Sequence, residues 1–415
     1  MSNSTGSILI SSLIYLNDKR CWDSIFEPLF ESPNPKTLIS FQLKQAIKPD
    51  MTLDMKSSLL EMEVNPYQDT TTSIILDETD EYSHLRTQCI NEEDFNYFQQ
   101  LPSEVIRTKF GNITVAIQGD RNKKGTALLT LHDIGQDHIK CFQSYFCFHQ
   151  TKPLLNHFTV YHINFPGQED NAEALPEDYV FPTMEQIADV VSEVIDYFSL
   201  KKTVCFGVGA GANVFTRLGL KRPAAVECLV LLNGTSDVAS WMEWGYEKMS
   251  VHYLKTKGMT LFTQDYLVWH YFGKVDERTN LDLVGLVRDQ LHRIKHPRNL
   301  ALFIESYAKR DAIKVARPVI GQSNLTSLKC STLIITGDGS PWVDDTVALN
   351  SKLDPSLTSW MKISDATSLV LEEQPTSVTN ALILFLQGHG YALKVTPPTL
   401  KQVSVTEIAA PPAIC

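Results

Sequence analysis

The segment that most constrains how this chain folds is Thr203–Asn213, which reads Thr-Val-Cys-Phe-Gly-Val-Gly-Ala-Gly-Ala-Asn. Its first residues have the apolar, β-branched character of a buried strand, and Ala212–Leu220 continues as a helix. Between them Gly207, Gly209 and Gly211 alternate. A strand that passes into a helix through alternating glycines brings backbone segments too close together for any Cβ. The surrounding chain supplies the sheet such a junction needs. Asn112–Gln118 alternates as a half-buried strand. Thr126–Leu131, Phe158–Ile163, Cys228–Leu232 and Leu333–Thr336 are short apolar strands, while Thr183–Phe198 and Val378–Leu386 carry helical periodicity. Apolar strands alternating with helices imply a parallel sheet covered on both faces. Residues 235–325 break the alternation. They are rich in helix formers and aromatics and read as a helical insertion over the sheet's C-terminal edge.

Two sites fit the glycines. Gly207, Gly209 and Ala212 match a dinucleotide fingerprint. That fingerprint normally follows the first strand of its unit and needs an acid at the end of the next one. Here several strands precede Gly207, and the next strand ends in Asn233 with Glu227 before it. No cofactor is therefore expected. The other fit is the nucleophile elbow Gly-x-Ser-x-Gly of the α/β-hydrolases, and this is the fold class expected: α/β, a mostly parallel central sheet flanked by helices, with a helical lid. The elbow's central residue is Gly209, which has no nucleophile to offer. His132 stands where hydrolases carry His-Gly, but Asp133 replaces the glycine and would bring a carboxylate toward the oxyanion hole. His132 itself reads as a packed residue that hydrogen-bonds its loop. Ser340 falls at the position of the triad acid, with Asp338, Asp344 and Asp345 nearby as displaced candidates. Ser368 falls where the histidine belongs, and the only histidine after His296 is His389, beyond the final helix. No catalytic residue is expected. Gly209, Ser340 and Ser368 are degenerate triad positions, and His132, Asp133, Gly207, Gly209 and Gly211 outline a vestigial pocket.

The formal net charge is -11. Residues 1–104 hold 7 Lys+Arg against 17 Asp+Glu, whereas the remainder holds 30 against 31. A near-neutral body without a basic stripe is a poor match for nucleic acid, so no nucleic-acid partner is expected. Residues 1–104 show no sustained periodicity and read as an acidic extension, poorly ordered or locally structured. Residues 105–393 form the hydrolase-like domain, and 394–415, rich in Pro, Ser and Thr, form a disordered tail. No segment has the length of a membrane span and no signal peptide is evident, so the protein is not expected to be integral to a membrane. The eight scattered cysteines lack CxxC spacing and suit a reducing, cytoplasmic compartment. No His/Cys/Asp cluster has metal-ligand spacing, and no metal is expected. Trp241, Trp244 and Tyr246 either bury a lid helix or offer aromatic anchors to a partner.

From about Gly111 to Tyr391 the chain resembles the N-myc downstream-regulated (NDRG) family. The likeness rests on Leu131–Gly135, Asn164–Gln168, Tyr179–Glu185, Gly207–Gly211, Leu229–Asn233, Trp241–Trp244, Gly337–Pro341, Asn350–Pro355 and Phe385–Tyr391. It implies a cytoplasmic, non-enzymatic α/β-hydrolase fold linked to signal transduction, stress response and differentiation. The extension before Val105 is not part of the likeness, and the tail lacks the Ser/Arg-rich character of some relatives. The leading expectation is a pseudo-enzyme that works through protein binding as an adaptor or scaffold. The alternatives are a sensor holding a lipid or small molecule in the vestigial pocket, and a hydrolase with unconventional catalytic residues.

Overall fold

The computed structural model describes residues 92–121, 126–318 and 326–393. The expectations for residues 1–91 and for the tail lie outside them. Ala239–Met249 belongs to a different compact unit from the remaining described residues and is treated by itself.

The fold is built on eight strands: β1 (Ser103–Thr108), β2 (Gly111–Gln118), β3 (Ala127–Leu131), β4 (Thr159–Ile163), β5 (Thr203–Val208), β6 (Val226–Leu232), β7 (Ser331–Gly337) and β8 (Thr358–Ile363). They form one sheet in the order β1-β2-β4-β3-β5-β6-β7-β8. The β1–β2 and β2–β4 pairs are antiparallel and every other pair is parallel. Every residue of β3, β4 and β5 is buried, as continuous apolar strands covered on both faces must be. The edge strands carry weaker signals. β8 reads Thr-Ser-Trp-Met-Lys-Ile and only Ile363 in it is buried. A charged, half-exposed strand of this kind protects a sheet edge from further pairing, and its sequence does not announce a strand.

Helices α1 (Glu92–Gln99), α2 (His138–Phe146), α3 (Lys152–His157), α4 (Met184–Tyr197) and α5 (Ala210–Lys221) accompany the first six strands. The start of α4 shows why it forms there. Thr183 accepts from the Gln186 amide while the Gln186 side chain accepts from the Thr183 amide, a reciprocal cap. Met184, Ile187, Val191, Val194 and Ile195 then bury one face. Between β6 and β7 come α6 (Trp241–Thr256), α7 (Leu261–Phe272), α8 (Leu281–His292) and α9 (Pro297–Ala308), all helical as the insertion's composition implies. Helices α10 (Val343–Ser351), α11 (Val370–Glu373) and α12 (Pro375–Gly388) complete the layers. Among the described residues no helix is long and apolar enough to cross a membrane.

The boundary drawn at residue 104 falls inside β1, and α1 precedes that strand. Phe98 on that helix is fully buried in one core cluster with Phe142, Tyr145 and Phe206, its ring 5.0 Å from that of His162. The acidic and amide residues around it (Glu92, Glu93, Asp94, Asn96, Gln99) hide this anchor in the sequence. Phe98→Ala should therefore cost about 3–5 kcal/mol in urea unfolding, while Tyr97→Ala, half-exposed on the same helix, should change stability by no more than about 0.5 kcal/mol. A chain starting at residue 105 should melt well below one starting at residue 91.

Candidate functional site

Strand β5 ends at Val208, and Gly209 turns the chain into α5 with φ of 51°. A Cβ on Gly207 would come within 2.6 Å of the Ala212 amide nitrogen, and one on Gly211 would overlap the Leu131 carbonyl. These two glycines let α5 sit against β5 and β3. Gly209 is excluded from carrying a side chain by something else: a Cβ there would overlap the Asp133 carboxyl group. Asp133 arrives from the loop after β3. Its Oδ1 accepts hydrogen bonds from the Ile134 amide at 2.8 Å and the Ala210 amide at 2.9 Å. In hydrolases of this fold the residue after the nucleophile and a residue of the loop after β3 supply the two oxyanion-hole amides. Both donors are taken here by a carboxylate of the chain itself, at the positively polarised N-terminus of α5.

The other carboxylate oxygen, Oδ2, lies 2.8 Å from His270 Nε2. Asp133 is 3% exposed and His270 is 1% exposed. Burial pushes the Asp133 carboxyl up, but the charge and hydrogen bond of His270, with the two amide bonds, outweigh burial and hold it below its ordinary 3.8. His270 belongs to the end of α7, in the insertion, and sequence reasoning missed it. It is one histidine among lid aromatics, 137 residues from Asp133, and nothing local marks it. His132 is buried between the loop after β3 and Phe165. Its Nδ1 donates to the Asp133 carbonyl and its Nε2 accepts from the Phe165 amide. An acceptor nitrogen requires a neutral ring, and burial lowers its pKa to about 4.

Spacing from the strand ends brings Ser340 and Ser368 together, with their hydroxyl oxygens 2.9 Å apart. The Ser340 hydroxyl also donates to Asn233 Oδ1, which accepts from the Thr336 hydroxyl as well, and Asn233 Nδ2 donates to the Ser368 carbonyl. A neutral hydrogen-bond network thus joins Ser340, Ser368, Thr336 and Asn233. It ties the end of α7 in: Trp342 Nε1 donates to the His270 carbonyl, and the Ser368 amide to the Tyr271 carbonyl. The Tyr271 hydroxyl reaches back to the Ile134 carbonyl. Asp338 and Asp344 stay outside this network, Asp338 accepting from the Ala366 amide. His389 caps the far end of α12. Within α6, Trp241 and Met242 are exposed, Trp244 and Tyr246 half-buried, and the two indoles meet edge to face. Among the described residues no group of three or more His, Cys, Asp or Glu could hold a metal ion.

Two predictions follow from this geometry. Gly209→Ala should destabilise the protein by about 2–4 kcal/mol through overlap with Asp133 and the positive φ. In an Asp133→Gly background the same change should cost only about 1–2 kcal/mol, a coupling that a double-mutant cycle by chemical unfolding reads directly. The second concerns pH. A carboxyl held below its unfolded value contributes stability above that value and loses it as pH falls through the folded one. The stability gap between the natural chain and Asp133→Asn should therefore shrink once the pH drops below 3.8.

A profile described as the Ndr family matches residues 103–393. Protein NDRG3 of Xenopus tropicalis is 36% identical over 301 residues, covering 72% of this chain and 76% of that protein. Protein NDRG2 of Danio rerio is 31% identical over 305 residues, covering 74% and 79%. A solved thermophilic esterase from Thermogutta terrifontis superposes with a TM-score of 0.56 at 19% identity, over 69% of this chain and 98% of its own. That likeness shows the α/β-hydrolase fold. Extending over most of both sequences, the match to the NDRG proteins makes this chain a member of the Ndr family.

Proposed function

We propose that this protein is a non-enzymatic member of the α/β-hydrolase fold that serves as an adaptor or scaffold in cytoplasmic signal transduction, in the setting of stress response or differentiation. The observation that carries the first half is the Asp133 carboxylate seated on the Ile134 and Ala210 amides. Acyl transfer needs those donors free for a developing oxyanion, and losing even one costs about 3–4 kcal/mol of transition-state stabilisation. Here both are engaged, the elbow bears no hydroxyl or thiol, and a second negative charge would have to form beside the first. The acid–base pair of Asp133 and His270 is enclosed. That speaks against an unconventional hydrolase. The space above Gly209 is filled by the same carboxyl group, which speaks against a ligand in the vestigial pocket. The second half rests on family membership and on the exposed Trp241 and Met242, since aromatic side chains are common partner anchors.

Purified full-length protein should show no turnover of short-chain aryl esters above a buffer control. The substitutions Gly209→Ser, Ser340→Asp and Ser368→His together should not create activity while Asp133 remains. Steady turnover by the natural chain, abolished by Gly209→Trp, would sink the non-enzymatic reading. Proximity labelling in the native cell tests the adaptor role: Trp241→Ala with Met242→Ala should remove a reproducible subset of labelled proteins, and an unchanged set would rule that surface out.

A further inference from the structure

A cleft of about 730 Å³ lies away from the filled elbow, a size that suits a small molecule. Ile139 of α2, Leu283 and Val287 of α8, Leu300 of α9 and Leu369 contribute its apolar wall. The lining is mixed, but its apolar side chains are aliphatic apart from Phe95, so the apolar wall is suited to packing an alkyl chain. The wall also includes Gln136 and Ser144, whose Oε1 and Oγ atoms are buried without a hydrogen-bond partner. Gln136 is more than nine-tenths buried, and orphan groups of this kind are expected where a ligand or water completes the bonding.

The charged side chains at the cleft, Lys140, Arg293, Lys295, Glu169, Asp170 and Glu372, are of both signs and differ in what engages them. Lys140 is spent on Asp137 and Asp170, and Glu169 accepts from the Thr114 hydroxyl. Arg293 and Lys295, just beyond the end of α8, line the cleft, are exposed, and form no ion pair among the described residues. We infer that this cleft binds an aliphatic carboxylate, with the alkyl chain along Ile139, Leu283 and Val287 and the carboxylate at Arg293 and Lys295. Gly135 and Gln136 are on the loop that carries Asp133, and Leu369 follows Ser368, so an occupant would rest against both loops of the degenerate site without entering it. The inference does not depend on whether the protein has catalytic activity.

The test is calorimetric titration of the full-length protein with octanoate, decanoate and 1-decanol, below their aggregation limits. Decanoate should bind with one-to-one saturation. Each added methylene should tighten binding about fourfold, the equivalent of about 0.8 kcal/mol per buried CH₂. Arg293→Gln with Lys295→Gln should weaken decanoate about three- to tenfold and leave 1-decanol unchanged. Ile139→Trp should weaken both, and Leu286→Trp, at a more exposed position of the rim, repeats that test should the first variant fail to fold. Absence of saturable decanoate binding by the natural chain would overturn the proposal. So would decanoate binding that neither tryptophan reduces, or that the charge-removing pair leaves intact.

Discussion

The functional region is organised around one carboxylate and two amides. Asp133 Oδ1 holds the Ile134 and Ala210 N–H groups, and each of those groups belongs to an element that would otherwise end in an unsatisfied donor. One is in the turn after β3 and the other opens α5. The loop, the elbow and the first turn of the helix are thereby fixed to one side chain. Its second oxygen reaches His270 and brings the end of α7 into the same cluster. Nothing here resembles an active site that has merely lost a residue. The Asp133 carboxylate fills the space above Gly209, His270 pairs with it, and the His270 carbonyl accepts from Trp342 Nε1 and the Ser368 hydroxyl.

Much of the fold could be read from the sequence because β3 to β7 are buried on both faces, which leaves little besides apolar residues in them. β1 and β8 escaped notice for the complementary reason: an edge strand has to be polar enough to stay unpaired. α1 escaped because Phe98 and the half-buried Phe95, among acids and amides, make too short a pattern to show a period. Interior elements write their environment into consecutive residues, whereas peripheral ones depend on a contact made far away.

The same distinction holds at the site. Gly209, Ser340 and Ser368 were legible because each is fixed by short spacing from the end of a strand, and the two serine hydroxyls do meet. Asp133 was legible as a group poorly suited to an oxyanion hole, though not as one that fills it. His270 was not legible at all. Its position beside Asp133 is set by how α7 packs over the sheet. The role of Asn233 was equally hidden: it closes β6 with φ of 51° and holds Ser340, Thr336 and Ser368 through one amide.

The overlap between Gly209 and Asp133 bears on how such a chain arose and on whether it could revert. A lineage with serine at the elbow had no room for this carboxyl group, and a lineage with the carboxyl group has none for serine. Each state forbids the single change that leads to the other. A stepwise exchange between the two would pass through glycine or another small residue at both places. The position of one side chain thus ties the choice of residue at the strand–helix turn to the choice in the loop after β3, so that neither can change alone.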